Sequence, residues 1–279
     1  MNENPSASEW AGERGEKWCA QFAGMEAMLA PVDEPLIRAL HLDQRCRIAD
    51  IGCGAGGMAL EILHRAPAGS VVRGFDISPA LIEVARSRKP SEEGTIDFEI
   101  ADMATAVTEA RYDRLVSRFG IMFFDDAPAA FANLARWLMP GGRFAFAAWG
   151  PLAENSWMTT IRDAVAEVVD VPKPDPEAPG PFRYAMADKL LALLGQAGFG
   201  NLEVRDWRGQ LSVGGGLSAA DASNFALGSS SYSEMLAEAG DHALHQARQS
   251  LISRFSRHEQ DGIVRMDASV HIFTGARPG

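Results

Sequence analysis

IADIGCGAGG, residues 48–57, decides how this chain is read. Within it GCGAGG satisfies the spacing G-x-G-x-x-G, which opens many dinucleotide-binding folds. The glycines report a tight turn and a close backbone approach to some ligand at a helix N-terminus, without saying which ligand. The residue that discriminates is Asp50, two positions before Gly52. Where a pyrophosphate lies on the glycines, the preceding strand is apolar to its end, because the ligand brings the negative charge. A carboxylate there repels a pyrophosphate and suits a ligand with a positive group and no phosphate.

Working outward, β-rich runs alternate with helical patterns between residues 45 and 149, the signature of a parallel sheet covered on both faces. The runs are 46–51, 70–77, 95–102, 112–119 and 142–149. Helical material at 58–66, 79–88 and 127–138 separates them, with Ser78 and Asp126 as N-caps. MATAVTEA, 103–110, is a short third crossover in which a helix is only weakly signalled. Beyond residue 149 a helix over 156–170 runs into PKPDPEAPGPF, 172–182, whose five prolines make it a loop. A helix over 187–198 ends on Gly198, followed by a strand at 201–207 and a last strand at 266–277. The intervening 208–262 is polar and helix-forming, with GGG at 214–216 as a flexible lead-in. It is too long for an ordinary connection and reads as a lid or a dimerisation element.

The expected architecture is therefore α/β. It is a Rossmann-like, seven-stranded, mostly parallel sheet with helices on both faces and a helical cap. Residues 1–43 form an N-terminal helical cap, 44–207 and 263–279 the core, and 208–262 the insertion. A net charge of −11 gives no electrostatic footprint for nucleic acid or an anionic membrane. The polar N-terminus lacks a signal-peptide pattern and no apolar run reaches transmembrane length, so a cytoplasmic setting is expected. Cys19, Cys46 and Cys53 form neither an even set nor a C-x-x-C pair, which fits a reducing compartment and gives no zinc signature.

S-adenosylmethionine meets the requirement set by Asp50, since it carries an ammonium and a sulfonium but no phosphate. The second run ends in GFDIS, placing Asp76 where it can accept both ribose hydroxyls, and the third in IADMA, where Asp102 can accept from an adenine amino group with Met103 on the ring. Three successive strands thus end in acids, in register at one sheet edge, which favours one shared polar ligand.

IADIGCGAGG, GFDIS, IADMA and YDRLVSRFGIMFFDD followed by LARWLMPGGRFAFAAW resemble the successive motifs of class I S-adenosylmethionine-dependent methyltransferases. The likeness is to the small-molecule branch related to the ubiquinone and menaquinone C-methyltransferases. It implies a last strand inserted antiparallel between the fifth and sixth, and S-adenosylhomocysteine as product. It also implies that Asp50, Gly52, Cys53 and Gly54 face the methionine portion, Asp76 and Ile77 the ribose and adenine, and Asp102 and Met103 the adenine. Ser117 and Phe119 would lie beneath the methyl-bearing sulfur. SRFGIM stands where methyltransferases of DNA adenine carry N-P-P-Y or D-P-P-Y, which argues against nucleic acid.

Phe119, Phe123, Trp149 and Trp157 are expected to line an apolar acceptor pocket, and Trp18, on a helical segment outside the sheet, to face the sulfonium. Asp125 and Asp126 read as capping residues rather than metal ligands. Residues for a catalytic acid or base are not evident, His242 and Tyr232 being the candidates in the insertion. The expected activity is methyl transfer to an O, N or C nucleophile of a small molecule by in-line displacement, from a monomer or homodimer. The alternatives are a nicotinamide-dependent oxidoreductase and a non-catalytic S-adenosylmethionine-binding protein.

Overall fold

The structure, a computed structural model, describes residues 7–90, 95–173 and 175–279. Strands β1 (Arg47–Ile51), β2 (Val71–Asp76), β3 (Ile96–Ile100), β4 (Tyr112–Arg118), β5 (Leu138–Trp149), β6 (Gly200–Ser212) and β8 (Ile263–Ala276) form one sheet, in the order β3-β2-β1-β4-β5-β8-β6. A two-residue strand, β7 (Glu259–Gln260), pairs only with β8. β1 to β5 are mutually parallel, and β8 runs antiparallel between β5 and β6. The expected antiparallel insertion of the last long strand is therefore present. The central strands are apolar on both faces because helices cover both. Ile48, Ala49, Ile51, Leu115, Val116 and Phe144 to Ala148 are all buried.

The helices are α1 (Ala7–Ala11), α2 (Glu13–Leu29), α3 (Asp33–Ala39), α4 (Gly57–Arg65), α5 (Pro79–Ser87), α6 (Ala127–Trp137), α7 (Ser156–Ala166), α8 (Ala187–Gln196), α9 (Ala219–Ser229), α10 (Ser233–Ala239) and α11 (Asp241–Phe255). Ser78 Oγ accepts from Leu81 N–H and Asp126 Oδ1 from Ala129 N–H, so both act as the N-caps read from the sequence. Gly198 closes α8 at φ +94°. No helix forms in the third crossover, where 101–111 runs as turns held by Asn133 Nδ2, which donates to Met103 O and Ala106 O.

Two readings of the insertion are corrected. β6 does not stop at 207 but pairs with β8 as far as Ser212, because RGQLS continues the alternation of an edge strand. The glycines at 214–216 are not a loose lead-in. A Cβ on Gly215 would stand 2.7 Å from Ala27 Cβ, so its lack of a side chain lets this turn seat closely on α2, and one on Gly214 would stand 2.4 Å from Leu217 Cδ1 just after the turn. Among the described residues, no helix is long and apolar enough to cross a membrane.

Candidate active site

The strand order reverses between β1 and β4, and the carboxyl ends of open α/β sheets hold ligands at such a switch point. Here a cavity of about 470 Å³ opens over the ends of β1, β2, β4 and β5 and is roofed by α1, α2, the end of α9 and the joint between α9 and α10.

One end is polar. The glycine loop leaves β1 with Gly52 N–H and Cys53 N–H both donating to Phe75 O, and Gly52, Gly54 and Gly56 all take positive φ. Asp76 secures the loop from the next strand. Its Oδ2 accepts from Gly54 N–H at 2.8 Å and its Oδ1 from Ser78 N–H at 2.9 Å. Burial raises the Asp76 carboxyl above the usual carboxylate range, opposed by those backbone donors. Glu26 on α2 closes the loop from above, accepting from Gly57 N–H at 3.0 Å at the start of α4 and pairing with Arg88 at 2.8 Å.

Asp50 lies deeper, 1% exposed, with Oδ2 buried and without a hydrogen-bond partner. Burial pushes its carboxyl to about 7. Arg118 opposes the shift, Asp76 and Asp33 add to it, and the Ala59 N–H opposes it. Arg118, the main group opposing that shift, is itself paired with Asp33 at 2.5 Å. A buried carboxylate oxygen with no donor is costly unless something cationic meets it.

The other end is aromatic. Phe119 takes φ +66°, an uncommon conformation for a bulky residue. Its ring stacks on Trp149 at 4.1 Å and 9°, and Trp157 meets Trp149 edge-on at 5.6 Å. Phe123, Trp10 and Trp18 continue the wall, Trp10 contacting both of the others. The proline-rich stretch forms one side of the cavity. Gly180 N–H donates to Met122 O, Arg183 to Phe124 O, and His271, whose other ring nitrogen meets Asp206, lies 3.1 Å from Ala185 O.

Asp50, Gly52, Cys53, Gly54, Asp76, Ile77, Asp102, Met103, Phe119, Phe123, Trp149, Trp157, Trp18 and Tyr232 all stand in this one wall. Three expectations change. Ser117 is fully buried with Oγ donating to Ile51 O at 2.6 Å, so it ties β4 to β1 and does not face the cavity. His242 is exposed on α11, whose inward face is Ala243, Ala247, Leu251 and Phe255, and it stands away from the wall. The acidic tips are staggered, not level. Asp50 pairs with Gly74 and Asp76 with Ile100, so each acid lies two residues further along than the last. Even steps keep them in one pleat phase. Asp102, the furthest out, is exposed and accepts from Ala104 N–H. Sequence reasoning missed Arg14, Glu26, Arg118, Arg162 and Arg183, which also face the cavity.

A doubly wound sheet with an antiparallel insertion thus places an acid and a glycine loop together at the switch point, where open α/β sheets hold ligands. Residues 48–142 match the family described as Methyltransferase domain. The demethylmenaquinone methyltransferase of Deinococcus radiodurans is 30% identical over 117 residues, 42% of this chain and 48% of that protein. The chain spans about half the length of the curated relatives it matches. Among solved structures, the YcgJ protein of Bacillus subtilis superposes with a TM-score of 0.58 at 15% identity, covering 90% of this chain and 99% of that one. The phosphoethanolamine N-methyltransferase 2 of Haemonchus contortus, in complex with phosphomonomethylethanolamine and S-adenosylhomocysteine, does so with a TM-score of 0.52 at 17% identity, covering 89% and 53%. Residues 48–142 thus carry a methyltransferase domain, and the sheet around it has the Rossmann-like fold of its methyltransferase neighbours.

Proposed function

We propose that the protein binds S-adenosylmethionine at the polar end of the cavity and transfers its methyl group to an oxygen, nitrogen or carbon nucleophile of a small, flat, apolar acceptor at the aromatic end. The observation that carries this reading is Asp50, a buried carboxylate with an unpartnered oxygen where the glycine loop approaches the cavity. A Cβ on Gly54 would meet nothing within 4 Å, so that face of the loop is open to a ligand. When bound, S-adenosylmethionine supplies a methyl group on a sulfonium, whose leaving group is a neutral thioether. The chain's residues hold and exclude. Asp50 takes the ammonium, Asp76 the ribose diol, and Met103 and Ile77 pack on the adenine. Trp18 and Phe119 present aromatic faces near the cation. Trp149 and Trp157 orient the acceptor and keep water out. Alignment of this kind can lower a two-body barrier by about 7–11 kcal/mol, so no covalent intermediate on the protein is required. Three free thiols, Cys19, Cys46 and Cys53, suit a reducing, cytoplasmic setting.

Isothermal calorimetry tests the reading. S-adenosylhomocysteine is expected to bind more tightly than NAD, and the reverse order would overturn it. Asp76→Ala is expected to weaken S-adenosylhomocysteine by about 10- to 100-fold, the range for hydrogen bonds to a charged group. Since Asp76 also anchors Gly54 and Ser78, the melting temperature without ligand is measured alongside. Unchanged affinity in a folded variant would reduce Asp76 to a loop tie.

We further propose that α9, α10 and the joint between them act as a lid. Ala226 and 229–232 reach the cavity wall, and Glu234 holds α2 through Lys17 at 2.6 Å, a partly exposed pair that can open at little cost. Hydrogen exchange over 226–240 is expected to slow when S-adenosylhomocysteine binds. Protection that follows protein concentration and ignores the ligand would identify a homodimer interface instead.

A further inference from the structure

Four arginines stand in the cavity wall, and their countercharges differ. Arg118 is paired with Asp33 at 2.5 Å. Arg14 lies within electrostatic reach of Glu234 and Glu9. Among the described residues, neither Arg162 nor Arg183 forms a salt bridge with a carboxylate. Arg162 Nη2 reaches only Val171 O, at 3.5 Å, and Arg183 Nη1 only Phe124 O, while the Nε of each is buried with no acceptor. Asp126 and Asp175 also stand in the wall, and Asp126 Oδ1 is taken by Ala129 N–H while Asp175 Oδ1 accepts from Glu177 N–H.

This arrangement is unusual in a chain of net charge −11, where a carboxylate for each arginine is easily supplied. A guanidinium carries five donors and cannot shed its proton, so holding two of them half-buried beside aromatic rings with one carbonyl each leaves most donors unused. Their places are fixed. Arg162 shares a face of α7 with Trp157, Met158 and Ile161, all in the wall. Arg183 ends the proline-rich stretch, with its guanidinium carbon 5.7 Å from the centre of the Tyr184 ring.

We infer that Arg162 and Arg183 receive an acidic group of the methyl acceptor, so that the acceptor is an aromatic or otherwise flat apolar molecule bearing a carboxylate. The inference rests on the proposed methyltransferase reading. The rings of Phe119, Trp149 and Trp157 take its apolar body, and the two guanidiniums supply the charge-assisted hydrogen bonds that fix its orientation. An acidic acceptor also explains why the Nε of each of these arginines is left without an acceptor. A resident carboxylate would compete with the ligand for the same donors.

The test uses the full chain saturated with S-adenosylhomocysteine and a panel of aromatic acids, such as benzoate and 2-naphthoate, each paired with its primary amide. Binding is read from tryptophan fluorescence and calorimetry. The best acid is expected to bind at least about tenfold more tightly than its amide, the discrimination expected of a charge-assisted pair. In the Arg162→Gln, Arg183→Gln double variant that preference is expected to fall to near unity, with S-adenosylhomocysteine affinity retained. Arg162→Lys, Arg183→Lys is expected to restore part of it, since charge returns without the planar fork. Acids that bind no better than their amides, or that do not bind at all to the loaded protein, would overturn the inference. Failure of S-adenosylhomocysteine itself to bind would instead overturn the underlying reading.

Discussion

Asp50→Asn is expected to weaken S-adenosylhomocysteine by about 10- to 100-fold at pH 8 and to abolish a pH dependence that the parent protein shows. In the parent, burial places the Asp50 carboxyl at about 7, with Arg118 opposing the shift and Asp76 and Asp33 adding to it. Below that value the site offers a neutral acid to an ammonium. Above it the site offers a carboxylate with an unpartnered oxygen. Affinity should therefore rise about tenfold per pH unit on approaching 7 from below and level off above it, while the Asn variant stays flat. Calorimetry from pH 5.5 to 8.5 measures both curves. A parent curve as flat as the variant's would show that Asp50 does not meet the ligand's charge.

The same carboxyl makes a stability prediction of opposite sense. Its folded value of about 7 lies above the ordinary carboxylate value of about 4, so the folded state binds the proton more tightly. The stability this provides is present in full below about pH 4 and is lost as pH rises through about 7. The loss is on the order of 4 kcal/mol. Asp50→Asn cannot ionise and should melt higher than the parent at pH 8 without ligand. Stability and ligand affinity thus trade against each other at one residue, as at other sites that hold a charge ready in a buried place.

The core strands were legible because parallel strands covered on both faces are near-continuous apolar runs, and glycines and caps mark their ends. β6 was read short because an edge strand is half polar and resembles a loop once its apolar residues thin out. Ser117 and Phe119 fall in one motif two residues apart, yet Phe119 turns to positive φ and faces the cavity while Ser117 points to Ile51. Periodicity alone cannot foresee a backbone turned by a left-handed residue. Arg162 did leave a trace. Trp157, Met158, Ile161 and Arg162 fall on one helical stripe, and a charge inside an apolar stripe signals a ligand or a buried pair. Arg183 left none, because in a proline-rich loop no periodicity says which way a side chain points.

The largest structural effect is expected at Gly52, where two loops cross. Gly52 has φ +67°, and a Cβ there would lie 2.8 Å from the Cα of Gly120, while a Cβ on Gly120 would lie 2.8 Å from Ile51 O. Each glycine is therefore the space the other needs, and both obstacles are backbone, which no rotamer change can move aside. Gly52→Ala combines the left-handed penalty of about 1–2 kcal/mol with overpacking of about 1–3 kcal/mol. A total loss of about 2–5 kcal/mol is expected. Gly54, two residues on, separates the two effects. Its φ is +55° but its Cβ would meet nothing within 4 Å, so Gly54→Ala carries only the conformational penalty, about 1–2 kcal/mol, and places a methyl group where the ligand approaches. Urea denaturation of the pair, with S-adenosylhomocysteine titrations of whichever variants fold, distinguishes the two roles. Gly52→Ala should shift the midpoint far more than Gly54→Ala, and Gly54→Ala should lose ligand affinity out of proportion to its stability. Equal midpoints would mean that the two loops can separate freely at the switch point, and the close approach of the loops after β1 and β4 would then not be what shapes the site.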